Sequence, residues 1–244
     1  MAQLQSRYEL IDKCLFFPKE GILVIGDLHI GYEEALIESG ILVPEQQVKE
    51  VIEDLKKIIK KIEESSWKIK KVIFIGDVKH MFSWEYAEKK NFNKILEFLH
   101  EYVNEKDIII IKGNHDTSQL GLPLKNYYIE GDLAFLHGHI SYPEVFDKKI
   151  NIVVSGHRHP SVTLAEKPGV KKEDYKCFLV GKIKGKTFIV VPSFVGFYEG
   201  TPVNEYKESH LDSFSIIPRK DILKFKVYVI GDDKVYEFGR VGKL

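Results

Sequence analysis

Over the first half of the chain, short apolar runs alternate with longer stretches whose apolar residues recur every three or four positions. Residues 22–25 (ILVI), bounded by Gly21 and Gly26, read as a buried strand. From about Pro44 onward, Val48, Val51, Ile52, Leu55, Ile58, Ile59 and Ile62 fall at helical spacing, with Lys and Glu on the opposite face. Residues 72–75 predict the next strand. Ser83 is placed to cap a second helix, whose apolar stripe is Phe92, Ile95, Leu96, Leu99, Tyr102 and Val103. Residues 108–111 (IIII) predict a third strand. Runs apolar throughout suit strands covered on both faces, as in a parallel sheet with crossover helices.

Beyond about residue 120 the helical spacing disappears. Strands are predicted at 127–130, 133–137, 151–155, 176–182, 186–191, 212–217 and 224–230, with a hairpin turning at Lys184-Gly185. The chain therefore opens as βαβαβ and closes as mostly β, an α/β (α+β) pattern. No repeat, low-complexity tract or linker interrupts it, so residues 1–244 are read as a single domain.

Composition narrows the classes of function. Lys+Arg and Asp+Glu balance at 36 each, so the strongly basic footprint of a protein held mainly by nucleic-acid phosphates is absent. A local basic groove is still compatible with that balance. The Lys/Glu-rich, Met- and Cys-poor composition matches the bias of thermophiles. Cys14 and Cys177 stand far apart with no metal-type spacing, which points to reduced thiols. The N-terminal segment lacks the basic start and apolar run of a signal peptide. No stretch approaches the roughly 18 apolar residues of a membrane span. The expected location is cytoplasmic, with no membrane partner.

The chemistry-bearing residues fall in five clusters, each directly after an apolar strand: Gly26-Asp27-Leu28-His29, Gly76-Asp77, Lys112-Gly113-Asn114-His115-Asp116, Leu136-His137-Gly138-His139 and Ser155-Gly156-His157-Arg158-His159-Pro160. Each has an ordinary explanation by itself, as a turn aspartate, an Asx turn or a loop histidine. Together they hold six of the nine histidines. In extended chain, residues two apart point the same way, so Asp27 and His29 can grip one cation. Parallel neighbouring strands would bring Asp77 to the same sheet edge, where open α/β sheets build their sites. Asn114 offers a neutral oxygen ligand. His115 can donate a proton, and Asp116 is placed to orient its ring. Asp, Asn and His without thiolate suit a divalent first-row metal. Two such ions can activate a hydroxide and clamp an in-line displacement at phosphorus.

The order DxH, GD, GNHD, His, GHxH resembles the calcineurin-like metallophosphoesterases, over roughly residues 22 to 160. That resemblance implies a four-layer αββα sandwich with two mixed β-sheets, and two divalent metal ions, with Mn first and Fe, Ni or Zn as alternatives. It also implies roles: Asp27, His29 and His159 on the first ion, Asp77 bridging, and Asn114, His137 and His157 on the second. His115 would protonate the leaving oxygen, with Asp116 holding it. His139 matches no ligand position. More narrowly, GDLHIGYEEALIESGILVP, GHRHP and VPSFVGFYEGTPVN are similar to the SbcD-related archaeal phosphoesterases and the bacterial ligase-associated phosphodiesterases.

Several residues stay open between two readings. Lys79 and His80 are either phosphate contacts or a solvated lysine and a loop histidine. Arg158 either forks onto a phosphate or is turned away by its ligand neighbours. Lysines 167, 171, 172, 176, 182, 184 and 186 either track a nucleic-acid backbone or form a solvated strand face. The leading expectation is a phosphodiesterase, with a nuclease role in DNA repair and nucleic acid as a candidate partner. The alternatives are a phosphatase or phosphodiesterase for nucleotides or cyclic nucleotides, and a non-catalytic scaffold that binds protein partners. The scaffold reading is disfavoured because all seven ligand positions and His115 are present.

Overall fold

The computed structural model describes residues 6–44, 46–80, 86–116, 123–165, 171–196, 200–205 and 215–244. Its first sheet runs in the order β1 (Glu9–Ile11), β2 (Cys14–Phe17), β3 (Ile22–Ile25), β4 (Lys71–Phe74), β5 (Ile108–Ile111) and β6 (Leu124–Lys125). β1 to β3 are antiparallel neighbours and β3 to β6 are parallel. The crossovers carry α1 (Tyr32–Glu38), α2 (Gln47–Glu64) and α3 (Tyr86–Leu99). The second sheet contains β7 (Tyr127–Glu130), β8 (Leu133–Leu136), β9 (Ile152–Ser155), β10 (Pro160–Leu164), β11 (Glu173–Ile183), β12 (Lys186–Val190) and β13 (Thr201–Pro202). Their spatial order is β13-β10-β11-β12-β9-β8-β7. After α4 (Arg219–Ile222), β14 (Lys226–Ile230) pairs with both β11 and β15 (Val235–Arg240).

Strand alternation explains why the runs are apolar on both faces. In β2, Leu15 and Phe17 point between the sheets while Cys14 and Phe16 point outward. The inner layer joins Val24, Ile73 and Ile109 of the first sheet to Phe135, Val154 and Ile189 of the second. Phe17 meets Phe135 across the gap edge-to-face at 5.8 Å, a geometry that adds about 0.5–1.5 kcal/mol to simple burial. Outside the first sheet, Leu55, Ile58 and Ile62 of α2 pack with Phe92, Ile95 and Leu99 of α3. Outside the second sheet, the cover is thinner: Val145, Ile217, Ile222 of α4, Phe225 and Val241. The order helix, sheet, sheet, helix is the αββα sandwich, with two mixed sheets.

The strands predicted at 22–25 and 108–111 match residue for residue. α2 starts at Gln47 rather than Pro44, because the Glu33 carboxylate accepts the first backbone N–H groups of the turn, from Gln46 and Gln47. α3 stops at Leu99, yet the Val103 side chain still joins the same core and Tyr102 packs against it. Ser83 lies outside the described residues. The expected strand at 212–217 is corrected: residues 212–214 lie outside the described part, and 215–217 form no strand. Ile216 instead donates one backbone bond to the Gly138 carbonyl. The Lys184-Gly185 hairpin is present, with both residues at positive φ (49° and 84°) and Ile183 opposite Lys186, as a tight two-residue turn demands. The exposed β15 and the short β1 escaped detection, having too little apolar alternation to stand out. No helix among the described residues is long and apolar enough to cross a membrane.

Candidate metal centre

All five clusters leave their strands at one rim of the sandwich. Asp27 and His29 follow β3, Asp77 follows β4, Asn114 to Asp116 follow β5, His137 follows β8, and His157 and His159 follow β9. Tight turns are needed to fold the side chains back onto one point. His29 (φ 44°), Asp77 (45°), His157 (67°) and His159 (42°) all adopt the left-handed conformation, which costs a non-glycine residue roughly 1–3 kcal/mol. Glycine is required where these loops touch. A Cβ on Gly113 would stand 2.0 Å from Asp77 Oδ1, and one on Gly76 would stand 2.3 Å from His137 Nδ1.

Two groups of donor atoms result. In one, His159 Nε2 lies 3.2 Å from Asp27 Oδ2 and 3.2 Å from His29 Nε2. In the other, His137 Nε2 lies 3.1 Å from Asn114 Oδ1, 3.1 Å from His157 Nδ1 and 3.3 Å from Asp77 Oδ2. Asp77, His137 and His157 can place one ligand atom each within 4.8 Å of one another. The ring of His137 is oriented by its other nitrogen, which faces the Ile75 carbonyl at 3.0 Å. A neutral imidazole that donates from Nδ1 turns a lone pair outward at Nε2. That lone pair then points at three further acceptors, an arrangement that calls for a cation in their midst.

The electrostatics agree with that geometry. Burial by itself would lower the His137 pKa, but the Asp27 and Asp77 carboxylates outweigh it and push it up to about 10. The spot thus draws positive charge strongly. Around it two further ligand candidates are kept neutral: burial, reinforced by His159, holds His29 down to about 3, and burial, reinforced by His137, holds His157 down to about 4. Neutral imidazole is the form that ligates metals. Asp27 is fully buried, and its Oδ1 faces His137 Nδ1 at 3.1 Å, a nitrogen whose better-aligned acceptor is the Ile75 carbonyl. A buried carboxylate that shares its one nitrogen neighbour in this way is costly without further positive charge. The residues present fit a divalent metal, and either group of ligands offers only N and O donors.

The structure revises the expected role of Asp116. Its two oxygens accept backbone N–H groups from Gly113 (2.9 Å), Val78 (3.0 Å) and Lys79 (3.4 Å), locking two ligand loops together. Burial raises its pKa to about 6. The His115 ring is instead held by the His80 carbonyl, 2.7 Å from Nδ1, because the carboxylate is already turned toward the loop backbone. The backbone N–H of His115 donates to Asp77 Oδ1 at 2.8 Å. His139 packs on the rings of His137 and His157 at 5.1 and 5.8 Å.

The structure also places the residues left open. Lys79 is fully buried near Glu88 and Asp116, so it is neither a solvated lysine nor a phosphate contact. His80 stacks on His115 at 5.7 Å and meets His29 edge-on. Arg158 is braced on Ser215 Oγ and the Ile217 carbonyl. The lysine stretch disperses: Lys171 and Lys172 pair with Glu173 and Glu205, Lys176 is buried on Ser193, and Lys186 caps the Asp147 and Ile150 carbonyls. Lys167 lies outside the described residues.

One contributor had no signal in the sequence. The buried amide of Gln47, first residue of α2, donates to the Leu28 and His29 carbonyls at 2.9 and 3.0 Å, clamping the strained turn between Asp27 and His29. Groups that orient ligands in this way typically change metal affinity 10–100-fold when removed. Gln47→Ala is therefore expected to weaken the tighter or the looser of two cation-binding steps by about that factor while sparing the other, as read by calorimetric titration. Equal affinities in parent and variant would show that the clamp is only structural.

A family model described as calcineurin-like phosphoesterase matches residues 21–233. None of the curated proteins matches the chain. Among solved structures, the Pseudomonas putida nuclease MPE superposes with a TM-score of 0.59 at 18% identity, covering 94% of this chain and 93% of its own. Zinc-complexed Vps29 from Entamoeba histolytica gives 0.39 at 16% identity, with 89% and 96% covered. A Streptococcus pneumoniae protein described as a conserved uncharacterized protein and predicted phosphoesterase gives 0.37 at 14%, with 90% and 97% covered. With its strand-end clusters, its sandwich and a family match spanning most of its length, the chain belongs to the calcineurin-like phosphoesterases.

Proposed function

We propose that this protein is a phosphodiesterase dependent on two divalent cations, with manganese the first ion to test and a nucleic-acid strand the first natural substrate. The observation that carries the reading is the convergence of acceptor atoms on His137 Nε2, beside the second group at His159 Nε2. Asp27, His29 and His159 would hold one ion and Asn114, His137 and His157 the other, with Asp77 between them. When bound, such a pair supplies a hydroxide nucleophile at neutral pH and neutralises charge on the phosphoryl oxygens. The chain's own residues do the rest. His115 lines the cavity in front of the ligands, and with Nδ1 committed to the His80 carbonyl its Nε2 is the atom that passes a proton to the leaving oxygen. Asp116 keeps that loop and the Asp77 loop in register through their backbones.

The nuclease that shares this fold supports a nucleic-acid substrate. The narrower likeness to SbcD-related enzymes and a cytoplasmic setting belong to the same reading. Small nucleotides are the second reading, favoured by the balanced charge and by lysines spent on local ion pairs rather than on a basic stripe.

The test is turnover of bis(p-nitrophenyl) phosphate and of p-nitrophenyl phosphate with manganese, before and after chelation. Diester hydrolysis that vanishes on chelation and returns with manganese is expected. Undiminished turnover in the chelated protein sinks the proposal. The same samples give a second readout. An ion at a hundred times its Kd stabilises the folded chain by about 2.7 kcal/mol, which for a chain of this size raises Tm by roughly 5–10 °C. No rise on adding manganese to chelated protein would count against cation binding.

A further inference from the structure

Besides the rim cavity, whose wall away from the ligands includes Val203 and Ile222, a second pocket of about 410 Å³ opens at the other end of the second sheet. Phe146, Lys148, Ile150 and Asn151 line one side, and Lys184 and Lys186 of the β11–β12 hairpin line the other. The parallel strands β9 and β12 both start beside this pocket and run toward the rim. At about 3.3 Å per residue, the stretch from Asn151 to His157 sets the pocket roughly 15–20 Å from the metal ligands. One ammonium is fixed in it. Lys186 Nζ donates to the Asp147 and Ile150 carbonyls, each at 2.6 Å. The loop presenting those carbonyls is closed on itself, with the Ile150 N–H donating to the Asp147 carbonyl and the Lys149 N–H to Asp147 Oδ1, both at 3.0 Å. An ammonium has three donors, so Lys186 keeps one for a ligand.

Among the described residues no carboxylate lines this pocket, and Lys148, Lys184 and Lys186 enter no ion pair. The adjacent Asp147 carboxylate is turned to its own loop. Lys171 and Lys172, by contrast, each have a glutamate partner. Three uncompensated ammonium charges around one hollow raise the local potential, although the chain as a whole is neutral. An ammonium is a point charge that binds phosphate oxygens without the planar fork of arginine. The three converge on one spot instead of forming a row toward the rim, which suits a compact chain of phosphates better than an extended strand. We propose that this pocket is a second binding site, separate from the metal centre, for a compact polyphosphate anion, either free or carried by a nucleotide. If a nucleotide carries it, Phe146, packed on Phe188 at 6.3 Å, is the surface offered to the base. None of the metal ligands belongs to the pocket, so this inference stands apart from the phosphodiesterase reading.

The experiment is calorimetric titration of the full chain with tripolyphosphate after chelation, which takes any cation at the rim out of the measurement. One anion per chain should bind, more weakly as salt rises, because exposed ammonium groups are screened. K148A combined with K184N should weaken binding about tenfold or more, since two of the three charges go. Both lysines are exposed, and asparagine tolerates the left-handed backbone at position 184 (φ 49°). K148R keeps the charge and should keep most of the affinity. K49A combined with K60A removes two exposed lysines of α2, each already within 4.0 Å of a glutamate, and should leave binding unchanged. Adenosine triphosphate separates the two sources. Tighter binding than tripolyphosphate, with the difference lost in F146L, identifies a nucleotide, and equal affinities identify the free anion. Three results overturn the proposal: no binding by the unaltered chain, the same affinity in K148A/K184N, or an equal loss in K49A/K60A. An oligothymidylate strand that displaces tripolyphosphate from this pocket at lower concentration than unlabelled tripolyphosphate does would also overturn it, in favour of an extended strand.

Discussion

Asp77→Ala is expected to abolish metal-dependent turnover, with the largest loss of any single substitution in the chain. The residue acts through three atoms at once. Its Oδ2 faces His137 Nε2 at 3.3 Å, and its Oδ1 accepts the backbone N–H of His115 at 2.8 Å. Its backbone carbonyl receives the N–H groups of Leu28 (3.1 Å) and His29 (2.9 Å), so it also anchors the loop of the first ligand group. Metal ions contribute several kcal/mol of transition-state charge stabilisation, and at 1.36 kcal/mol per tenfold their loss amounts to about a thousandfold or more in rate. Bound metal per chain and kcat on bis(p-nitrophenyl) phosphate are the measurements. Asp77→Asn separates charge from shape, since the amide can still accept from His115. A D77A protein that retains both metal content and turnover would show that the centre has been misassigned.

His115→Ala should produce the second largest effect, with a different signature. The ring lines the cavity, yet neither donor group includes it. Removing a general acid typically lowers rate by 10²–10⁴, here in kcat with metal content kept. Leaving-group dependence sharpens the test: substrates whose leaving oxygen needs no proton should suffer less. Loss of metal from H115A would assign the ring to the ion rather than to the leaving group. Undiminished kcat on a poor leaving group would remove it from the chemistry. Asp116→Ala serves as the contrast. It frees three buried backbone N–H groups instead of a ring contact, so its damage should appear in stability and metal affinity before it appears in leaving-group dependence.

How much of this was legible beforehand divides along a physical line. Strands such as 22–25 and 108–111 are apolar on both faces because sheet and helices cover both sides, and that demand is written in consecutive residues. The five clusters were equally readable, since each is a handful of adjacent residues at a strand end. The seven donor residues do come to one rim, as parallel strands require. Other features depend on residues far apart in the chain. Gln47 reaches the Leu28 and His29 carbonyls only because α2 begins beside that turn. Lys79 looks like a surface lysine until the packing around it leaves it no exposure. Asp116 sits next to His115 in sequence, yet its carboxylate turns to three backbone donors and leaves the ring to His80.

The sequence by itself determined the alternation of strand and helix, the places where chemistry leaves each strand, and the kind of ion those ligands suit. These are local properties, set by side-chain period and donor type. Tertiary structure alone decided which nitrogen of each histidine faces the centre, which residues clamp the loops, and what forms the opposite wall of the cavity. Those depend on hydrogen bonds and contacts between segments a hundred or more residues apart, such as His157 N–H to Asp27 and His159 to Asp27. No local pattern encodes such a distance, because it is set by how two whole sheets close on one another.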